Sequence, residues 1–184
     1  MTQGRGRVLL LNGPSSSGKS TVGVALQRLL PGPWFLVPVD SISGMRSTVK
    51  GEPSDEAAIA DMLTRTRLGY HRAVAGLAAV GNDVIMDYPL SEAWRLEDLL
   101  DVLDGYDVTL IEVRCAPEEL DRRERERGDR PAGLARSQTA VYDHGAFDIT
   151  VDTTHESAEA CAAAIVHALA SVPSPKAFER LRHR

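Results

Sequence analysis

The segment from Gly13 to Ser20, Gly-Pro-Ser-Ser-Ser-Gly-Lys-Ser, has the residue types and spacing that point most directly to chemistry. It matches the phosphate-binding pattern G-x-x-x-x-G-K-S/T without a mismatch. Glycines let the backbone curl so that successive N–H groups face one phosphate, and the following helix adds its positive end. We predict a nucleotide-binding loop, rather than a catalytically silent loop or a ligand-free turn, made of Gly13, Pro14, Ser15, Ser16, Ser17, Gly18, Lys19, Ser20 and Thr21.

Four side chains in and after this loop could carry out phosphoryl transfer. Lys19 would contact the β and γ phosphates, and the Ser20 hydroxyl would bind Mg²⁺. Asp40 is expected to end a second strand, where it would accept the proton of a substrate hydroxyl or hold the substrate through it. A cap on the next turn is the structural alternative for this residue. Asp87 is expected to end a third strand and to orient Mg²⁺, often through water, unless it is only a turn residue.

An arginine-rich segment lies between residues 118 and 130. Its first half reads as a solvated helix in which acids and arginines pair at i,i+4. Arg127 and Arg130 flank a Gly-Asp pair in a loop, where guanidinium groups could close over a transferring phosphoryl group. We predict that Arg127 and Arg130 act in catalysis and that Arg123 binds the nucleotide. His144 could line the site, but a structural role is the preferred interpretation.

The elements that must position these residues alternate between apolar strands and helices. Such alternation predicts an α/β fold with a five-stranded parallel sheet and helices on both faces, and ligands bind such sheets at the carboxyl ends of the strands. A single domain is expected over residues 1–172, with a lid at about 116–136 and a basic tail, mobile or packed, at 173–184. Strands are predicted at 7–12, 34–39, 83–87, 108–113 and 148–152; longer helices at about 22–30, 59–77, 94–103, 117–127 and 158–170; and a polar stretch at 41–54.

Composition excludes several other classes of protein. The 184 residues carry a net charge of −5, which disfavours binding to a nucleic-acid backbone. No apolar run approaches the ~20 residues of a membrane span, and none resembles a signal peptide. The two cysteines form no metal or disulfide pattern. We therefore expect a cytoplasmic protein that binds a small hydroxylated molecule and neither nucleic acid nor membrane, with a homo-oligomer left open.

Several segments together resemble the chloramphenicol 3-O-phosphotransferases, over nearly the whole chain up to about residue 170. These are the Gly13–Ser20 loop, Val39-Asp40-Ser41, Arg127-Gly-Asp-Arg130 with the following Ala132 to Ala135 and Gln138, and Val151 to His155. The resemblance implies a fold like that of shikimate and nucleoside monophosphate kinases. It also implies transfer of the γ-phosphate of ATP, with Mg²⁺, to a primary hydroxyl of the drug, and hence antibiotic inactivation.

The same resemblance implies roles for individual residues. Asp40 matches the proposed base, Arg130 and the lid would lie over the phosphates, and Asp152, Thr153 and Thr154 would lie beside the adenine. Two departures fall on the acceptor side: the stretch from Gly44 to Glu56 is shorter, and Asp87 is followed by tyrosine instead of a second acid. The acceptor therefore stays open between chloramphenicol, another antibiotic, a nucleoside and a metabolite. A nucleotide-binding switch without acceptor chemistry is the alternative from another class.

Overall fold

A computed structural model describes residues 4–47, 55–127 and 133–183, without the side chain of Thr139. Within these residues the strands form one sheet in the order β2-β3-β1-β4-β5, and every neighbouring pair is parallel. The predicted α/β architecture with a five-stranded parallel sheet is thereby confirmed. The strands are β1 (Val8–Asn12), β2 (Trp34–Pro38), β3 (Asp83–Asp87), β4 (Val108–Arg114) and β5 (Ile149–Asp152).

Helices cover both faces of this sheet because its central strands are apolar on both sides. In β1, Val8 and Leu10 join one core, while Leu9 and Leu11 join the other. Helices α3, α4 and α8 contribute to the first core, and α1 and α7 to the second. The helices are α1 (Lys19–Leu29), α2 (Val39–Gly44), α3 (Glu56–Ala79), α4 (Ala93–Val102), α5 (Pro117–Arg127), α6 (Leu134–Ser137), α7 (Ala158–Leu169) and α8 (Ala177–Arg182), with a 3₁₀ helix at Thr139–Tyr142.

Helix α2 is a difference from the sequence prediction, which placed Asp40 at the end of a strand. β2 ends at Pro38, and Asp40 lies in the first turn of α2. Val39 and Ile42, three residues apart, pack against the first core and hold this single short helix in place. Two apolar positions are too few to be recognised as a helical period.

The basic tail is packed rather than mobile over its described residues. Ala177 and Phe178 are buried in the first core. Lys176 forms an ion pair with Asp107 and donates a hydrogen bond to the Thr109 hydroxyl at 2.9 Å. No helix in the described ranges has the length and apolar character that crossing a bilayer requires.

Candidate active site

The loop between β1 and α1 has a backbone that few residues other than glycine could adopt. Gly18 has φ +86°, and Ser16, at φ +63°, is in the same left-handed region. At Gly13 a Cβ atom would lie 2.5 Å from the carbonyl oxygen of Val113. The loop can therefore curl only because a glycine passes directly beside β4.

The loop buries several of its own polar groups. The Lys19 ammonium donates to the carbonyl oxygen of Pro14 at 2.7 Å, and the residue is only 7% exposed. The hydroxyls of Ser15, Ser16 and Ser17 are buried and have no hydrogen-bond partner in the described part of the chain. Because buried polar atoms are almost always satisfied, the hydroxyls of Ser15 and Ser16 suit a ligand rich in oxygen atoms, such as a polyphosphate.

A cavity of about 550 Å³ opens above the loop at the carboxyl ends of the strands. It brings together residues that are far apart in the sequence, from the loop, α2, the end of β3, α5 and the turn after β5. Gly13, Pro14 and Ser17 shape the loop without lining the cavity, and Arg130 lies outside the described residues. The predicted site residues that line it are Ser15, Ser16, Gly18, Lys19, Ser20, Thr21, Asp40, Asp87, Arg123, Arg127 and Thr153.

Asp152 and Thr154 do not line this cavity. Their side chains serve the turn after β5: the Asp152 carboxylate accepts the amide of Thr154, and the Thr154 hydroxyl accepts the amide of Ala116, both at 2.8 Å. Together with Cys115, they border a separate cavity of about 390 Å³. Of the three residues that the resemblance places beside the adenine, Thr153 alone faces the main cavity.

Ser20 and Asp87 meet at the floor of the cavity. The Ser20 hydroxyl donates to the Asp87 carboxylate at 2.5 Å, and Asp87 is 6% exposed. The described residues contain no group of three or more His, Cys, Asp or Glu side chains suited to a metal ion. One hydroxyl and one carboxylate fit Mg²⁺, which keeps several waters and takes its remaining ligands from phosphate oxygens.

Tyr88, the tyrosine that follows Asp87, is fully buried. Its amide donates to the carbonyl oxygen of Leu11 at 3.2 Å, so the parallel pairing continues one residue past Asp87. Alternation along the strand then turns Asp87 towards the cavity and Tyr88 into the opposite core, where its ring lies 5.1 Å from that of Tyr70.

Helix α5 places its arginines by pairing them with acids. Arg123 donates to the carbonyl oxygen of Thr153 at 2.6 Å and to the Glu119 carboxylate at 2.7 Å. Hydrogen bonds from Arg122 and Arg123 lower the pKa of Glu119 to about 2. Buried Glu124 accepts the amides of Gly133 at 2.6 Å and Ala135 at 2.9 Å, which fixes the start of α6. These contacts anchor the middle of the helix, and Arg123 and Arg127 line the cavity.

Two amide side chains tie the site together; sequence reasoning assigned a role to neither, although Gln138 belongs to the segments that carry the resemblance. Gln138 lines the cavity and accepts the Ser15 amide at 2.7 Å. Fully buried Asn12 donates to the carbonyl oxygen of Val141 at 2.6 Å and accepts the amide of Leu90 at 2.9 Å. The sequence signal that could have identified Asn12 is its position, because it is the polar end of an apolar strand directly before the phosphate-binding loop.

His144 has the structural role that the sequence favoured. One of its ring nitrogens lies 2.6 Å from the carbonyl oxygen of Leu90, so the ring donates a hydrogen bond there. It does not line the cavity. It therefore supports the segment that follows β3 instead of contacting a ligand.

Comparisons with known proteins agree with this architecture. A family model described as "Chloramphenicol phosphotransferase-like protein" matches residues 6–170. A Mycobacterium tuberculosis protein named "Putative O-phosphotransferase Rv2636" is 30% identical over 200 residues, which cover 97% of this chain and 89% of the relative.

Solved structures share the fold. The Mycobacterium tuberculosis APS kinase CysC, in complex with AMPPNP and APS, superposes with a TM-score of 0.66 at 19% identity, covering 91% of this chain and 99% of that one. A tunicamycin resistance protein of Deinococcus radiodurans gives 0.65 at 16% identity, covering 92% and 98%. Shikimate kinase from Aquifex aeolicus gives 0.60 at 18% identity, covering 89% and 96%. These likenesses confirm the predicted P-loop kinase fold.

Proposed function

Because the chain belongs to the chloramphenicol phosphotransferase-like family and is an ATP-dependent small-molecule kinase, we propose that the 550 Å³ cavity is its active site. There the γ-phosphoryl group of ATP passes to a hydroxyl group of the acceptor. One observation carries the proposal: a phosphate-binding loop, a Ser20–Asp87 pair and the Asp40 carboxylate line one cavity.

The phosphate half of the site acts by binding and by charge. Backbone amides of the loop and the Lys19 ammonium hold the phosphates and offset the charge that develops on them. Ser20 and Asp87 would hold Mg²⁺, which supplies further positive charge to the phosphate oxygens. Arg127 lines the same cavity, and we assign to it the contact with the transferred group. Arg130, the other predicted catalytic arginine, remains a prediction for the same role.

The acceptor half of the site is organised around Asp40. This carboxylate lies in the first turn of α2 and lines the cavity. It accepts the hydrogen bond of the acceptor hydroxyl and orients the oxygen towards the γ-phosphorus. As the new P–O bond forms, the bond to the β-phosphate oxygen breaks, ADP leaves, and the hydroxyl proton passes to Asp40.

The nucleotide base is expected at the opposite end of the cavity. Arg123 and Thr153 line that end together with the segment from Glu156 to Ala158. A guanidinium plane stacks well on an aromatic base, and the Arg123–Thr153 hydrogen bond fixes that plane. Asp152 and Thr154 support the turn from behind, so we assign them a positioning role towards the nucleotide.

The experiment is phosphorylation of hydroxylated antibiotics, nucleosides and metabolites, led by chloramphenicol, with ATP, Mg²⁺ and mass spectrometry of the acceptors. Lys19→Met should abolish product. Asp40→Asn should lower kcat by about 10²- to 10⁴-fold while ATP still raises Tm, because general-base assistance is worth that much. Asp101→Asn, an exposed acid on α4, is the matched control and should behave as wild type. Product formation at the wild-type rate by Asp40→Asn would refute the assignment.

A further inference from the structure

Helix α3 extends past the carboxyl edge of the sheet on the acceptor side. The Tyr70 hydroxyl donates to the carbonyl oxygen of Val37 at 2.7 Å, so Tyr70 marks the level at which β2 ends. Arg67 lies three residues earlier on the same face of the helix, about 4.5 Å further along its axis. Because α3 runs antiparallel to the strands, Arg67 lies beyond the strand ends, on the side of Asp40.

A second arginine is buried behind the rim of the cavity. Arg95 is 4% exposed, donates to the carbonyl oxygen of Pro89 at 2.9 Å and forms an ion pair with Glu92. Its guanidinium lies 5.5 Å from the centre of the Tyr88 ring. Pro89 and Asp40 both line the cavity, so Arg95 supports the part of the wall that Pro89 forms.

Three hydrogen-bond donors without an acceptor among the described residues lie behind or beside this wall. Arg95 Nε and the Tyr88 hydroxyl are buried and have no partner among the residues that the structure describes. Arg67 is half-buried and forms no hydrogen bond or ion pair within that same part of the chain. Because Tyr88 and Arg95 are almost fully buried, half-buried Arg67 is the donor that a ligand can reach, and a ligand with acceptor atoms would satisfy it.

The charges at this wall add to that pattern. Burial lowers the pKa of Arg67, and the neighbouring charge of Arg95 lowers it further, against the opposing effects of Tyr88, Glu92 and Asp40. Two guanidiniums within electrostatic range of each other are unfavourable when partly desolvated. An anion bound on the solvent side of these two guanidinium groups would reduce the repulsion between them.

We propose that the acceptor carries, besides its hydroxyl, an anionic group such as a carboxylate or a phosphate monoester, which is bound by Arg67 against the wall supported by Arg95. This inference rests on the proposed function and narrows it. The acceptor hydroxyl faces Asp40 and its anionic group faces Arg67. The negative charge of the acceptor therefore stays away from the Asp40 carboxylate. An uncharged acceptor such as chloramphenicol would leave the Arg67 donors unused.

The test uses matched acceptors that differ only in charge, namely hydroxy acids such as shikimate and gluconate, sugar phosphates, and their methyl ester, amide or unphosphorylated counterparts. The wild-type enzyme should prefer the anionic member of a pair by about ten- to a hundredfold in kcat/KM, the range expected for one hydrogen bond to a charged group. Arg67→Met should remove this preference by raising the acceptor KM, with the KM for ATP unchanged. Arg67→Lys should restore part of it.

Arg65→Met is the matched control, because Arg65 lies on the same helix but is exposed and paired with Asp61. It should keep the wild-type preference. Equal losses for charged and uncharged acceptors in Arg67→Met would overturn the inference. Turnover of uncharged acceptors only, by the wild-type enzyme, would also overturn it and would leave the proposed function intact. A panel without any phosphorylated product would overturn both.

Discussion

Asn12 offers the sharpest test of how the site is held together. Its side chain is the bridge between the segment after β3, which borders the acceptor half, and the 3₁₀ helix that follows α6. Both of its polar groups are used, by Leu90 and by Val141, and the residue is completely buried. Replacement by alanine removes the bridge, because the methyl group can neither accept the Leu90 amide nor donate to the Val141 carbonyl oxygen.

The size of the effect follows from the two groups left behind. Asn12→Ala would leave the Leu90 amide and the Val141 carbonyl buried without their partner, at about 1–3 kcal/mol each. We expect the free energy of unfolding to fall by about 2–6 kcal/mol, a large share of the ~5–15 kcal/mol of a typical domain. We also expect kcat to fall more than the affinity for ATP, because the phosphate loop keeps its own backbone bonds.

Urea unfolding measures the first effect and acceptor kinetics the second. Asn82→Ala is the matched control: its side-chain amide also bonds a carbonyl, that of Leu77, at 3.1 Å, but the Asn82 backbone amide satisfies the same carbonyl at 3.2 Å. Its cost should stay below about 1.5 kcal/mol, one ordinary hydrogen bond. A loss of less than 1 kcal/mol in Asn12→Ala would refute the reasoning.

Asn12→Asp separates the two bonds. It keeps an acceptor for the Leu90 amide but sets a carboxylate against the Val141 carbonyl, where burial would raise its pKa. Because the unfolded chain then ionises more readily than the folded one, stability should increase as the pH falls towards 5, relative to wild type. A constant difference between pH 8 and pH 5 would contradict this account.

Three further perturbations test the core and the loop. Phe178→Ala should cost about 3–5 kcal/mol and lower Tm by roughly 6–20 °C in calorimetry, because the ring is fully buried under the sheet; an unchanged Tm would mean that the tail is detached in solution. Burial lowers the pKa of His71, although its hydrogen bond with Asp98 opposes this shift. The contribution of neutral His71 to the free energy of unfolding is therefore complete above about pH 6.5 and declines below it. The stability difference between wild type and His71→Asn should therefore shrink in urea titrations from pH 7.5 to pH 5, and a constant difference would count against this explanation. Gly13→Ala should abolish the rise in Tm with ATP because its Cβ would approach a backbone oxygen at 2.5 Å, whereas Gly69→Ala, with open space around it, should retain that rise.

The sequence predicted the elements that have a strong local signal. β3 and α5 have the predicted bounds, since one is an apolar run between breakers and the other a charged helix that starts at a proline. The phosphate loop could also be found, because its chemistry is local to eight residues. The α2 helix and the burial of Tyr88 could not, since each depends on packing against α3 or on strand pairing beyond Asp87. The Asn12–Val141 bond joins residues 129 positions apart, and no periodicity reports such a contact.

The two halves of the site rest on supports of different rigidity. The phosphate half follows β1, the central strand, which is hydrogen-bonded to β3 on one side and to β4 on the other. The acceptor half follows β2, an edge strand paired with β3 alone, and the part of α3 that extends past the sheet. A substitution such as Arg67→Met therefore alters a surface that few other elements depend on, whereas a change at Gly13 must displace β4. With this arrangement, acceptor specificity can change at little cost in the free energy of unfolding while the phosphate chemistry is retained. Substitution of Arg67 should therefore raise the acceptor KM and leave ATP binding unchanged.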